Sequence, residues 1–247
     1  MTKYFAVVGN PITQSLSPKI HQAAYRFLGL DNNYSAHQVE LGSLQHFLDE
    51  NLNLSGVSVT MPLKAEAFAL SNKVDEIANQ TEVVNTLVLR DSQYFGFNTD
   101  VFGLTKALEH IAFSSVAVIG SGATARSAIH AMQQMAQTSS VEIFARNQVE
   151  VQRLTEKFSI AGGDVSSYEG GFDLVINTVP VLPIVNSGYV LNTSYSSHEA
   201  LATKQISGKE MLLWQALGQL RIFLNGSIDD KFQDEQGLMS AMRHSLS

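Results

Sequence analysis

The chain has 247 residues, with 16 Lys+Arg against 23 Asp+Glu and a formal charge of −7 at pH 7. With 45% hydrophobic and only 16% charged residues it is too apolar to stay disordered, and it is long enough for one large domain or two modest ones. The absence of cysteine excludes disulfides, thiolate nucleophiles and Cys-ligated metals, and the acidic balance argues against a nucleic-acid-binding surface. No run reaches the roughly 20 apolar residues that span a bilayer. The first residues enter a strand-like run without the apolar stretch of a signal peptide, so a reducing cytoplasm is the expected home.

Apolar runs alternate with segments of helical period, which predicts an α/β architecture. YFAVVG (4–9) reads as a buried strand, followed by a Pro/Ser-rich turn and a helix over 19–30 that stops at Gly29. Strands are expected at 33–41 and 56–60, and a helix over 43–52 capped by Ser43. A single helix is expected over 65–80, then a hairpin over 83–100 turning near Asp91–Ser92. A second series follows, with a helix at 102–111, a strand at 115–120, a helix at 123–136, a strand at 141–146, a helix at 149–158 and a strand at 173–180. Helices over 210–224 and 234–246 close the chain. The natural division falls near residue 101, and periodicity does not say on which unit the last helices pack.

The sharpest local signal is Gly120-Ser121-Gly122-Ala123-Thr124-Ala125, which follows an apolar strand and opens a helix. In this GxGxxA pattern the first glycine permits the tight turn. The second lets a pyrophosphate reach bare backbone N–H groups at the positive end of the helix. Dinucleotide cofactors are further chosen at the end of the next strand, where a carboxylate favours NAD and a cation favours NADP. Arg146 stands there with Asn147 beside it as a neutral donor, so NADP is favoured over NAD.

Four polar clusters occupy strand ends in residues 1–100. Ser15 and Ser17 lie two apart at a strand-to-helix turn suited to a carboxylate, although Ser17 before Pro18 also suits helix capping. Thr60 ends a strand, and Lys64 sits at the mouth of the next helix, where the dipole disfavours a cation. Val84-Asn85-Thr86 and Asn98-Thr99-Asp100 add amide, hydroxyl and carboxylate groups, for which Asx turns and caps are the structural alternative. The seven histidines show no metal-ligand spacing, and His21 is expected to cap or fill the first helix.

The ordered motifs GNPIxxSxSPxxH (9–21), VTMPLK (59–64), VVNT (83–86), GFNTDxxG (96–103), GSGATA (120–125), INT (176–178) and MLLWQA (211–216) resemble the shikimate dehydrogenase family over essentially the whole chain. The resemblance implies reversible, NADP-linked reduction of 3-dehydroshikimate to shikimate on the route to aromatic amino acids. It implies an α/β substrate-binding domain (1–101, with 210–247 packing back on it), a Rossmann-type NAD(P)-binding domain (102–209), and an active site in the cleft between them. Lys64 and Asp100 correspond to the catalytic pair. Ser15, Ser17 and Tyr195 correspond to groups for the substrate carboxylate, and Thr60, Asn85 and Gln215 to groups for its ring hydroxyls. Gly120, Ser121, Gly122, Ala123 and Thr124 match the pyrophosphate turn, Arg146 and Asn147 the 2′-phosphate site, and Thr193, Gly208 and Glu76 further cofactor positions.

The chain departs from the family pattern at Gln14, Ala145, Asn147, Asn192 and Ser207, and the segment 181–207 is short. The alternatives are a quinate-directed enzyme of the same family using NAD, and a dinucleotide-binding sensor that lost catalysis. No metal, nucleic-acid or membrane partner is expected, and the chain is expected to be a monomer or homodimer.

Overall fold

β1 (Tyr4–Gly9) is buried along all but its first residue, as a central strand covered on both faces must be. The computed structural model of the chain describes residues 2–90, 93–180, 187–193 and 204–247. It divides into two units, one comprising the residues up to Thr99 together with Gln215–Ser247, the other Asp100–Trp214.

In the first unit β1 is followed by α1 (Ser17–Phe27), β2 (Asn33–Gln38), α2 (Leu44–Glu50), β3 (Leu54–Val59), α3 (Lys64–Leu70), β4 (Lys73–Val74), α4 (Glu76–Thr81), β5 (Thr86–Arg90) and β6 (Gln93–Phe97). These strands form one mixed sheet in the order β2-β1-β3-β5-β6-β4. β1 pairs in parallel with β2 and β3, whereas β5 runs antiparallel to both β3 and β6. β1, β3 and β6 therefore end, and β5 begins, at the same edge of the sheet. One face packs Ala6, Val8, Val57, Val59 and Leu87 against Leu44, Leu48, Leu63 and Ala67. On the other face Phe5 stacks on Phe223, with ring centroids 4.8 Å apart.

α5 (Thr99–Leu108) leads into the second unit, with β7 (Ser115–Ile119), α6 (Ala123–Gln134), β8 (Ser140–Ala145), α7 (Gln148–Phe158), β9 (Ala161–Asp164), β10 (Phe172–Asn177), β11 (Ser187–Asn192) and β12 (Lys204–Ser207). All these strands are parallel, in the order β12-β11-β10-β7-β8-β9. Numbered within the unit, this is the 3-2-1-4-5-6 order of doubly wound dinucleotide-binding sheets, with its switch point between β7 and β10. α8 (Gly208–Leu224) and α9 (Glu235–His244) complete the chain. α9 packs on α1, and Arg221 of α8 holds Glu235 in a part-buried two-point pair. Among the described residues, no helix is long and apolar enough to cross a membrane.

Three local expectations need correction. The segment 65–80 is not one helix, because Ser71 turns extended, Lys73–Val74 pairs with β6, and Asp75 starts α4 by accepting the Ala78 N–H. Ser43 holds the N-cap position of α2 but makes no capping bond. The Glu66 carboxylate takes that part, accepting from the Gly42 and Leu44 N–H groups at 2.8 and 2.9 Å. Ser17 is a helical residue of α1 rather than its cap, and that helix has no side-chain cap. β4, β9, β11 and β12 are additional strands, and the expected turn at Asp91–Ser92 lies outside the described residues.

Candidate functional site

The loops leaving β1 and β3 are stitched together. Thr60 N–H donates to Val8 O, and Asn10 N–H donates to Met61 O, both at 2.9 Å. Gly9 makes this possible, since a Cβ there would strike the Thr60 Cγ2 and the Met61 carbonyl. Thr60 and Lys64 are thereby carried to the edge where β5 begins. Lys64 is the first residue of α3, at the positive pole of the helix, and its carbonyl accepts the Val84 N–H.

Asn85 sits next in the chain and is 1% exposed. Its carbonyl accepts from Val59 N–H at 2.8 Å, and its own N–H donates to Phe97 O, so three strand ends converge on it. Its Oδ1 accepts from Thr99 N–H at 2.9 Å, while its amide nitrogen donates to Thr99 Oγ1 at 3.0 Å and to Gln215 Oε1 at 3.3 Å. α8 is buried on nearly every side, so its polar side chains must find partners inside. Asp100 follows Thr99 in the first turn of α5 and is buried.

Ser15 and Ser17 lie at the start of α1, where the Ser15 hydroxyl faces the Ser17 N–H at 3.4 Å. Behind them Tyr34 donates to Ser58 Oγ at 2.6 Å. Burial pushes the Tyr34 phenol pKa up, against the opposing effect of its hydrogen bonds with Ser58 and Ser17. His21 is fully buried and stacked on Tyr34 at 4.0 Å, so it fills α1 rather than capping it. Burial lowers its pKa to about 3, only partly offset by its hydrogen bond with Gln219.

In the second unit the parallel strands bring the residues after β7, β8, β10, β11 and β12 to one edge. Gly120 has φ +114, and a Cβ there would meet the Thr178 hydroxyl, so the turn admits only glycine without rearrangement. Thr178 in turn donates its hydroxyl to Ile119 O at 2.8 Å. Gly122 opens α6 with nothing within 4 Å of its Cβ position, and no side chain caps the helix. Ser121, Ala123 and Thr124 are partly exposed around this bare N-terminus.

Arg146 is exposed directly after β8. Asn147 caps α7, its Oδ1 accepting the Glu150 N–H at 3.2 Å. Thr193 donates its N–H and its hydroxyl to Asn177 O, at 3.0 and 3.1 Å. Gly208 is buried against the Asn192 carbonyl.

The family model of the shikimate dehydrogenase substrate binding domain matches residues 7–87. A protein of Acinetobacter baumannii named shikimate dehydrogenase (NADP(+)) is 34% identical over 192 residues, covering 72% of this chain and 72% of its own length. This chain belongs to the shikimate dehydrogenase family. A relative of the same name from Ignicoccus hospitalis is 29% identical over 248 residues, covering 90% of this chain and 94% of its own. The shikimate 5-dehydrogenase of Thermus thermophilus, solved in complex with NADP(H) and shikimate, aligns at TM-score 0.84 and 26% identity over 98% of this chain and 99% of that one.

Of the residues that the shikimate dehydrogenase resemblance singles out, Asn85 and Gln215 are directly bonded, the Lys64 carbonyl is held by the N–H of Val84 next to Asn85, and Thr60 is held by Val8 O. Glu76 is not part of that cluster; it lies exposed on α4, bonded to the Gln80 amide. Tyr195 lies outside the described residues. Sequence reading missed Gln219, whose carboxamide bonds to His21, Ser58, Asn85 and Thr86. The available signal was its spacing from Gln215, four residues on along one helix face.

Proposed function

We propose that this chain is a shikimate dehydrogenase, catalysing the reversible NADP-linked reduction of 3-dehydroshikimate to shikimate as a cytoplasmic step toward aromatic amino acids. The observation that carries the reading is the bond between Asn85 and Gln215 at one sheet edge, where the neighbouring Val84 N–H also holds the Lys64 carbonyl, in a chain of this family. Residues 1–101 with 210–247 serve the substrate, and residues 102–209 serve the cofactor.

The residues present suit NADP. The Gly120 turn and the uncapped α6 N-terminus offer backbone N–H groups to a pyrophosphate, and exposed Arg146 offers its guanidinium to a 2′-phosphate. Asn147, Thr193, Gly208 and Glu76 complete the cofactor set. NADP, when bound, supplies or takes up the hydride.

Lys64 Nζ gives a proton to the substrate oxygen as the carbonyl is reduced and takes it back in the reverse direction. The oxygen gains negative charge as it ceases to be a carbonyl, so a donor within hydrogen-bond reach lowers the barrier. Asp100 binds a substrate hydroxyl and holds the lysine. Ser15, Ser17 and Tyr195 bind the substrate carboxylate, Ser15 and Ser17 from the start of α1. Thr60, Asn85 and Gln215 bind the ring hydroxyls, where buried polar groups left unpaired by a wrong substrate are costly.

The test is an assay of nicotinamide absorbance that crosses shikimate and quinate with NADP and NAD. The reading expects the highest kcat/KM for shikimate with NADP. Preference for quinate with NAD, or no turnover in any of the four combinations, overturns it.

A further inference from the structure

The carboxamide of Gln219 is 2% exposed and lies one turn beyond Gln215 on α8. Its Oε1 accepts from Ser58 Oγ at 2.8 Å and stands 3.3 Å from His21 Nε2. Its Nε2 donates to Asn85 O and to Thr86 Oγ1, both at 3.1 Å. All four hydrogen-bonding positions of the group are thus used, and the Asn85 carbonyl, which can only accept, dictates which end of the amide faces it.

That orientation propagates. The Thr86 hydroxyl receives a hydrogen from Gln219 and passes its own to Asn85 Oδ1 at 2.8 Å. The same oxygen accepts the Thr99 N–H, which can only donate. With Oδ1 engaged from both sides, the Asn85 amide nitrogen is turned toward Gln215 Oε1. The nitrogen of Gln215 then lies on the arm of its carboxamide directed away from Asn85.

We infer that Gln219 is a positioning residue for substrate recognition: through the Asn85 carbonyl and through Thr86 it holds the Asn85 carboxamide, whose amide nitrogen in turn holds Gln215 by its Oε1. This rests on the shikimate reading above. Gln219 itself does not touch the substrate; it acts by holding Asn85 through its carbonyl and through Thr86.

The experiment compares the full-length wild type with Gln219→Met, which keeps length and loses the hydrogen bonds, and with Thr86→Val, which removes only the relay hydroxyl. Leu238→Ala, a buried α9 residue outside the network, serves as a comparison for loss of stability alone. The expected result is a roughly tenfold rise in KM for shikimate in both network variants, with kcat and KM for NADP within about twofold of wild type. Shikimate titrations followed by the fluorescence of Trp214, the only tryptophan in the chain, should give the same loss of affinity.

Leu238→Ala should leave KM for shikimate unchanged while lowering the melting temperature. If Gln219→Met does not fold, Thr86→Val carries the test by the same criterion. A folded network variant with wild-type KM, or one whose kcat falls while KM stays, overturns the inference but leaves the shikimate reading standing. A wild type that neither binds nor oxidises shikimate overturns both.

Discussion

The most direct test of the buried network uses pH on His21. The imidazole is fully buried between Tyr25 and Tyr34, whose phenol pKa values burial raises, and it bonds to Gln219. Desolvation lowers its pKa from 6.5 to about 3, so the folded chain keeps it neutral in a range where the unfolded chain protonates it. Below pH 6.5 the unfolded state therefore binds one more proton, and stability falls as pH falls until the folded value is reached. Each pH unit well below 6.5 is worth about 1.4 kcal/mol, so the drop from about pH 6.5 to about pH 4.5 costs roughly 2 kcal/mol through this one group.

Burial also raises Asp75, which tilts stability the opposite way, whereas Asp164, Asp173 and Glu235 are lowered and act at more acid pH. Comparing wild type with His21→Gln cancels these contributions. Urea unfolding at several pH values should show the gap between the two chains narrowing toward acid pH by that amount. Parallel curves across the window would refute a neutral, buried His21.

Other outcomes follow from the proposed roles. Lys64→Ala should lower kcat by about 10²–10⁴-fold with a much smaller change in KM for shikimate, as steady-state kinetics would show. Wild-type turnover would remove Lys64 from proton transfer. Arg146→Ala should raise KM for NADP by roughly tenfold or more and leave KM for NAD nearly unchanged; equal effects on both would reject the 2′-phosphate contact. Gly120→Ala combines a positive φ with a collision at Thr178 and should cost about 1–3 kcal/mol in thermal unfolding, with loss of NADP binding by calorimetry. Asp75→Ala should destabilise by about 1 kcal/mol through the lost α4 cap, read as a shifted denaturation midpoint.

Long apolar runs announced their strands because buried parallel strands need apolar side chains on both faces, as in β1, β7 and β10. The GxGxxA turn was legible because its spacing is imposed by backbone geometry at Gly120. Short elements were not. Two residues pairing at Lys73–Val74 leave no periodic signal, and β9 reads as a glycine-rich turn because its Gly162 must pass close to Ile143.

Capping also misled where a distant side chain intervened, since nothing local marks Glu66 as the partner of α2. Motif reading reached Asn85 and Gln215 separately. Their direct bond, and the contacts of Thr86 and Gln219 beside it, depend on α8 meeting the start of β5, which spacing along one helix does not reveal.

The reversed direction of β5 has a consequence for how the proposed substrate edge is built. In a sheet of parallel strands, groups at the ligand edge come from the loops that follow each strand. Here the antiparallel hairpin contributes Asn85 and Thr99 from adjoining strand ends, anchored by the Thr86↔Phe97 pairing. Groups on such a frame have little freedom left to lose when a ligand arrives, so less of the binding energy is spent on ordering them. The pairing of these two strands runs to Arg90↔Gln93, at the opposite edge of the sheet. Changes at that end can therefore accumulate without moving the groups proposed to bind the substrate.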